Sequence, residues 1–453
     1  MVEIKLSLKK NFEKLSLKPA LSVFLVALFA RMTVIIFSNL TKDGLLFEDD
    51  RGYFALGKMY AEGDPSFPLY EPFWNSVESF TWPIGFLFKV FTAQAFLAQI
   101  LSALAGALVA STVTLLLKQH VNRKIALYAG LLAALYPSQV LWSSLILKDV
   151  FVWMALSVAV LISQWWFKQV KILNILTGAL GLLIITFYLS RLRVHTLIIL
   201  CIALLISTFH KKNRYRSIKA LFATTLLILL PLNAGSGIAG IDVMKILFGS
   251  DGQSQLVQIR HQGAEDASTA LTETVRDEYG SIVTTQSLIE YQERVCYKEY
   301  ENNQGNSSRN NEADEKLDEC LSLVSFSSYG LVDDIMYLPV GVRVMIIDPL
   351  PSRLNGNTKV IMAFIEHIFW YPLLILSFIG IRKFWRKPDL LFASMLGMGI
   401  ISKWALVEGN FGTAYRHRGE FVWIVIIFAA IGLEKYIEKR KQRSKESKQS
   451  NVL

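Results

Sequence analysis

FEDDRGYFALGKMYAEG, residues 47–63, is the stretch on which the reading of this chain turns. Tyr53, Phe54, Leu56, Met59 and Tyr60 recur at helical spacing, which predicts a short amphipathic helix opened by Glu48, Asp49 and Asp50. Carboxylates suit a helix start, because the first N–H groups and the helix dipole both favour negative charge there. The acids therefore have an ordinary reading as a cap, worth about 1 kcal/mol. A second reading depends on where the chain around them runs.

Outward from this stretch the sequence is dominated by apolar runs. Hydrophobic residues make up 53% of the chain and the mean hydropathy is +0.38. Runs of this length and composition are bilayer spans. They are expected near 20–38, 93–117, 125–145, 149–167, 172–189, 194–209, 217–233, 360–381, 389–406 and 420–436. The opening MVEIKLSLKKNFEKLSLKPA is too long and too charged for a signal peptide and lacks a small-residue cleavage site, so the first span is expected to be retained.

Basic residues orient the spans. Lys9, Lys10, Lys14 and Lys18 precede the first, Lys118, Arg123 and Lys124 follow the second, and Lys168 and Lys171 follow the fourth. Lys211, Lys212, Arg214 and Arg216 follow the sixth, Arg382, Lys383, Arg386 and Lys387 the eighth, and KRKQRSKESK lies near the end. Every second connection is basic, which places both termini in the cytoplasm. The net charge of +10 then reports topology and attraction to anionic lipid, not a nucleic-acid partner.

The expected architecture is an all-α polytopic membrane protein of about ten transmembrane helices, with a mainly helical extracytoplasmic domain between spans seven and eight. A seven-span membrane domain covers 1–233, with 39–80 as its first outer loop. A soluble domain covers 234–359, three spans cover 360–436, and a basic cytoplasmic tail covers 437–453. Short loops and few cysteines suit the cytoplasmic membrane of a bacterium. Cys296 and Cys320 flank the polar loop ENNQGNSSRNN on the oxidising side, where a disulfide between them would close it. Cys201 falls inside span six and is expected to pack as a small hydrophobe.

Four polar groups fall on the outer face under this topology. They are Glu48 to Asp50, then Lys148 and Asp149, then Arg191 and Arg193, and last Glu408 with Arg416, His417 and Arg418 in the loop 407–419. Charges beside spans snorkel, pair or line an aqueous cavity, and those lining a cavity carry function. Outer arginines also run against the positive-inside trend. For Lys148 and Asp149 a charged helix start competes with a functional role, and for Arg191 and Arg193 a snorkelling pair competes with phosphate contact. Arg416, His417 and Arg418 crowd a glycine-rich corner, where three basic groups repel unless an anion is present. Asp49 and Asp50, as adjacent carboxylates, would raise one pKa or bind a divalent cation such as Mg2+ or Mn2+, with Glu408 as a further ligand. Acids beside a basic outer groove suit transfer from a phosphate-linked donor: arginine holds the leaving phosphate while a carboxylate takes a proton from the attacking hydroxyl.

Asp49-Asp50-Arg51-Gly52-Tyr53, at the start of an amphipathic helix in the first outer loop, resembles the Asp-x-x-x-Tyr pattern of the GT-C superfamily of membrane glycosyltransferases. ALYPSQVLWSSLILKDVFVWM is similar to that family's proline-containing approach to the fourth span, with Asp149 at its acidic position, and EGNFGTAYRHR is similar to its late outer-loop arginine. The resemblance implies a polyprenyl-phosphate sugar donor, inverting transfer on the outer face, and Asp49 as the base or as the group that positions the acceptor. Asp50 and Asp149 would assist, and Lys148, Arg191, Arg193, Arg416, His417 and Arg418 would hold the phosphate. The acceptor would be a glycan, lipid or protein at the cell surface. A soluble domain between spans seven and eight departs from the mannosyltransferases and aminoarabinose transferases of that family. One related enzyme reading and two other classes stay open: a repeat-unit polymerase or ligase with a lipid-diphosphate donor, a lipid-glycan flippase or transporter, and a scaffold.

Overall fold

The computed structural model describes residues 18–42, 44–210, 215–233, 331–349, 358–382, 387–407 and 411–450. Every regular element among them is a helix. In chain order these are α1 (Lys18–Lys42), α2 (Glu48–Glu62), a 3-10 turn (Phe67–Leu69), α3 (Glu71–Ser76), α4 (Glu78–Val90), α5 (Ala95–Leu117), α6 (Arg123–Leu135), α7 (Pro137–Trp142) and α8 (Asp149–Trp166). They continue with α9 (Ile172–Ser190), α10 (Val194–Thr208), α11 (Arg216–Asn233), α12 (Leu331–Ile346), α13 (Thr358–Ile381), α14 (Pro388–Val407), α15 (Phe411–His417) and α16 (Gly419–Ser450). The expected soluble domain lies almost wholly outside the described residues, as do Cys296, Cys320 and Glu408.

Six described helices, α1, α5, α8, α9, α13 and α14, are long and apolar enough to cross a membrane. The other four expected spans are helical but shorter or more charged. The 125–145 stretch divides into α6 and α7, α10 has 15 residues, α11 carries Arg216 and Lys219, and α16 carries Glu420 and Glu434. Length and composition therefore support six crossings among the described residues and do not confirm ten.

The chain forms two compact units. The first takes 1–240, 365–400 and 419–453, and the second 241–364 and 401–418. In the first, α5 is the central helix, packed by α1, α6, α8 and α16. Its buried residues are mostly small, including Ala98, Ser102, Ala103, Ala105, Gly106, Ala107 and Ala110. Small side chains let neighbouring backbones approach closely where lipid gives no hydrophobic drive to associate. Cys201 is buried in α10 and makes no disulfide.

The break between α6 and α7 decides how the site is presented. Pro137 has no N–H and disfavours a helical Tyr136, whose backbone is extended at φ −63 and ψ 122. In an unbroken helix the Ala134 carbonyl would accept from the Ser138 N–H. Here each is served by a charged side chain from another helix. Arg31 of α1 donates from Nη1 to Ala134 O at 3.0 Å, and Ser138 N–H donates to Oε2 of Glu366, on α13, at 2.8 Å. The cation meets the negative end of α6 and the anion meets the positive end of α7. Arg31 also donates to Ala27 O at 2.8 Å and to Ser143 Oγ at 2.6 Å, so the guanidinium is buried with partners on three segments. Ser138 Oγ donates to Glu366 Oε1 at 3.0 Å, and Gln139 Nε2 reaches Gly419 O at 3.0 Å.

Polar contacts at the opposite end fix the register of the same helices. His120 Nε2 and Gln164 Nε2 lie 2.8 and 3.2 Å from Asp389 Oδ2, and Lys219 Nζ donates to Trp166 O at 2.8 Å. Glu434 accepts from the Asn122 N–H at 2.9 Å. In the second unit Arg418 closes the C-terminal end of α12, donating to Val344 O at 3.0 Å, Met345 O at 2.7 Å and Asp348 O.

Candidate functional site

Asp49 and Asp50 are neighbours in sequence and face different ways, the first exposed and the second buried. Asp50, the third helical residue of α2, reaches back to accept from Phe47 N–H at 2.9 Å and Leu46 N–H at 3.0 Å, and it is fully buried. Burial pushes its carboxyl above the usual aspartate range, and the backbone N–H bonds pull the other way. Asp49 is exposed on the adjoining side. Successive helical residues are about 100° apart, so one acid caps while the next looks out. Each Asp50 oxygen thus accepts one backbone N–H, which ties this carboxylate to the turn before α2. Among the described residues no three His, Cys, Asp or Glu side chains converge as a metal set.

The lead-in to α2 is held against the broken-helix segment. Phe47 packs on Trp142 with ring centroids 5.1 Å apart, and Phe80 of α4 packs on Phe151 of α8 at 5.3 Å. Asp49 thus sits two residues from a ring contact with the segment that runs on to Lys148 and Asp149. Lys148 is half-buried at the start of α8.

Asp149 is buried, and its partner is Arg193. Arg193 Nη2 donates to Asp149 Oδ1 at 2.6 Å and Nη1 to Glu420 Oε2 at 3.2 Å, while Thr196 Oγ1 donates to Glu420 Oε1 at 2.8 Å. Two acids share this one guanidinium in a buried group. It ties the starts of α8, α10 and α16 together. Gly419, the first residue of α16, has no room for a Cβ because the Trp153 ring of α8 lies against it. Arg191, two residues before Arg193, points elsewhere: its Nε lies 3.3 Å from Glu78 Oε1, with both side chains about one-third exposed.

The structure divides the expected phosphate-binding residues in the same way. Arg193 lies between two carboxylates and Arg418 on three carbonyls, so each has a structural load. In the second unit His417 stacks on Trp404 at 3.4 Å, and Arg416 is half-buried. Arg191 and Lys148 keep access to solvent. Arg31, Glu366, Glu420, Thr196 and Glu78 were not among the expected site residues. Arg31 and Glu366 carry a sequence signal, a charge inside an apolar run.

No family model matches this sequence, and no curated protein matches it. Among solved structures the fold resembles an archaeal oligosaccharyltransferase, AglB from Archaeoglobus fulgidus, determined in complex with an inhibitory peptide and a dolichol-phosphate. The TM-score is 0.50 at 14% identity, over 94% of this chain. The chain spans about half of that protein's length, 51%. The likeness is one of fold.

Proposed function

We propose that this protein is a membrane glycosyltransferase that moves a sugar from a polyprenyl-phosphate carrier to a hydroxyl acceptor on the outer face of a bacterial cytoplasmic membrane. The observation that carries the reading is the fold, which resembles that of an oligosaccharyltransferase holding a dolichol-phosphate. The outward-facing Asp49, in the Asp-x-x-x-Tyr setting, gives the fold a group able to do the chemistry.

Asp49 is the base. As the acceptor oxygen forms its bond to the anomeric carbon, its proton passes to the Asp49 carboxylate. The bond from that carbon to the phosphate oxygen breaks, and the polyprenyl phosphate leaves with the bonding pair. Arg191 and Lys148 are the cations placed to hold that phosphate: Arg191 pairs with a part-exposed acid, and Lys148 is half-buried at the start of α8. Asp149 acts through Arg193 and the start of α8, as a positioning residue. Asp50 holds the turn that presents Asp49.

The test is transfer from a radiolabelled polyprenyl-phosphate sugar pool by the full chain in lipid. Wild type is expected to transfer, and Asp49→Asn to bind donor without transferring, because the amide keeps the size and cannot take the proton. Full activity in Asp49→Asn would remove Asp49 from the chemistry. Transfer only from a lipid diphosphate would move the protein to the polymerases and ligases.

A further inference from the structure

We infer that α4 is a lipid-docking element whose Trp82, Phe86 and Val90 stripe lies in the outer leaflet of the bilayer. These residues are spaced i, i+4, i+8, so they share one face. They are 44%, 65% and 56% exposed, while Phe80, Ile84 and Phe88 on the opposite face are buried. A helix that is apolar all round is stable only where both faces are covered. Protein covers one face of α4.

Lipid fits the other for three reasons. First, α4 has 13 residues, about 20 Å of helix against a hydrocarbon core of about 30 Å, and Pro83 lies inside it, so it lies along the membrane instead of crossing it. Second, only Phe91–Gln94 separates α4 from α5, a membrane-spanning helix by length and composition, and this ties its C-terminal end to the membrane boundary. Phe91 in that connection is exposed too, as are Leu104 and Leu108 of α5. Third, the two charges of α4 are placed as at an interface. Glu78 pairs with Arg191 in the first turn, and in the last turn the Lys89 ammonium sits 4.0 Å from the Tyr60 ring centre. Tryptophan at such a position matches the aromatic belt of membrane proteins.

The buried face of α4 carries α2. Tyr53 meets Phe80 edge-on at 4.9 Å and Phe54 meets Phe88 at 5.6 Å. Gly85 lets Tyr60 lie directly on the α4 backbone, where a Cβ would come within 2.6 Å of the ring. Docking α4 therefore holds the Asp49 helix at headgroup depth, where the phosphate of a lipid-linked donor sits. That consequence rests on the function proposed above, whereas the docking does not.

Trp82 provides the probe. The emission of the full chain in vesicles minus that of Trp82→Phe isolates the Trp82 contribution. Phospholipid brominated high on its acyl chains is expected to remove most of that contribution, and aqueous iodide little of it. The same difference for Trp74→Phe, a buried indole, is expected to respond to neither quencher. Quenching of Trp82 by iodide and not by brominated lipid would place the stripe in water and overturn the inference. Resistance to both would mean that protein covers it, which would also overturn the inference. Neither result bears on whether the chain transfers sugar.

Discussion

Replacing Arg31 by methionine tests the account of the broken helix most directly. Methionine fills much of the same volume, so the cavity left is small, and the loss is that of donors. Ala27 O keeps its partner within α1, and Gln139 O keeps the N–H and hydroxyl of Ser143. Ala134 O is the carbonyl left without a donor, because the Ser138 N–H that would serve it is turned to Glu366. Orphaning one buried carbonyl costs about 1–3 kcal/mol. The same substitution in a Pro137→Ala background is expected to cost less, since α6 and α7 can then join and return the Ser138 N–H to Ala134. Glu366→Leu should show the same dependence on Pro137 from the donor side. Thermal unfolding of wild type, Pro137→Ala, and Arg31→Met and Glu366→Leu in each background, all in one lipid or detergent, measures these costs, and amide exchange at Ser138 reports the joining. An Arg31→Met cost near the 0.6 kcal/mol typical of polar pairs between membrane helices would refute the assignment. An equal cost with and without Pro137 would refute it too.

Asp50→Asn is expected to lower stability while leaving donor binding intact, because the carboxylate serves two N–H groups and not the substrate. Burial raises the folded-state pKa of Asp50 above 3.8, so the folded state binds the proton more tightly than the unfolded chain. The Asp50 contribution is therefore greatest below pH 3.8 and declines as pH rises through the raised value; a wild-type minus Asp50→Asn stability difference that grows with pH would contradict this. Arg193→Met is expected to cost about 3–5 kcal/mol, since Asp149 and Glu420 stay buried without their cation, and urea unfolding in mixed micelles would measure it. Arg191→Ala, at a part-exposed pair, should cost no more than about 1 kcal/mol of stability yet weaken donor binding. Glu78→Gln should tighten donor binding by removing the competing carboxylate, and titration with a labelled polyprenyl phosphate separates the two variants.

The helical, membrane-spanning character of the chain was legible because hydropathy reports burial in lipid directly. The helical character of 125–145 was legible too, and Pro137 pointed to a broken approach to the following span. What holds the break was not. Hydropathy averages over a window, so Arg31 inside FLVALFARMTVIIF and Glu366 inside IMAFIEHIFW dissolve into their apolar neighbours. Nothing local to residue 31 or 366 names residues 134 and 138 as their partners. These pairings span 103 and 228 residues and exist only once the helices pack. Spans seven and ten are weaker for a related reason: Lys219 and Glu434 sit inside apolar runs because other segments meet them, through Trp166 O and Asn122.

The candidate site was legible as groups of charges and not as roles within them. Each group divides the same way. Asp50 is buried and Asp49 exposed, Asp149 is buried and Lys148 half-buried, Arg193 is buried and Arg191 half-buried, and Arg418 is buried and Arg416 half-buried. A helix or tight turn carries residues one or two apart to different faces, so close charges rarely share one environment. The member turned inward must be fully paired, because a buried charge without partners is too costly. That requirement explains the N–H pair on Asp50, the two acids on Arg193 and the three carbonyls on Arg418. It also means that the buried member cannot easily give up its partners to a substrate that comes and goes at every turnover. Arg191, left near the surface, holds Glu78 across a part-exposed gap and can exchange it. Under the proposed function, chemistry is therefore expected at Asp49, Lys148 and Arg191, and rigidity at the residues beside them.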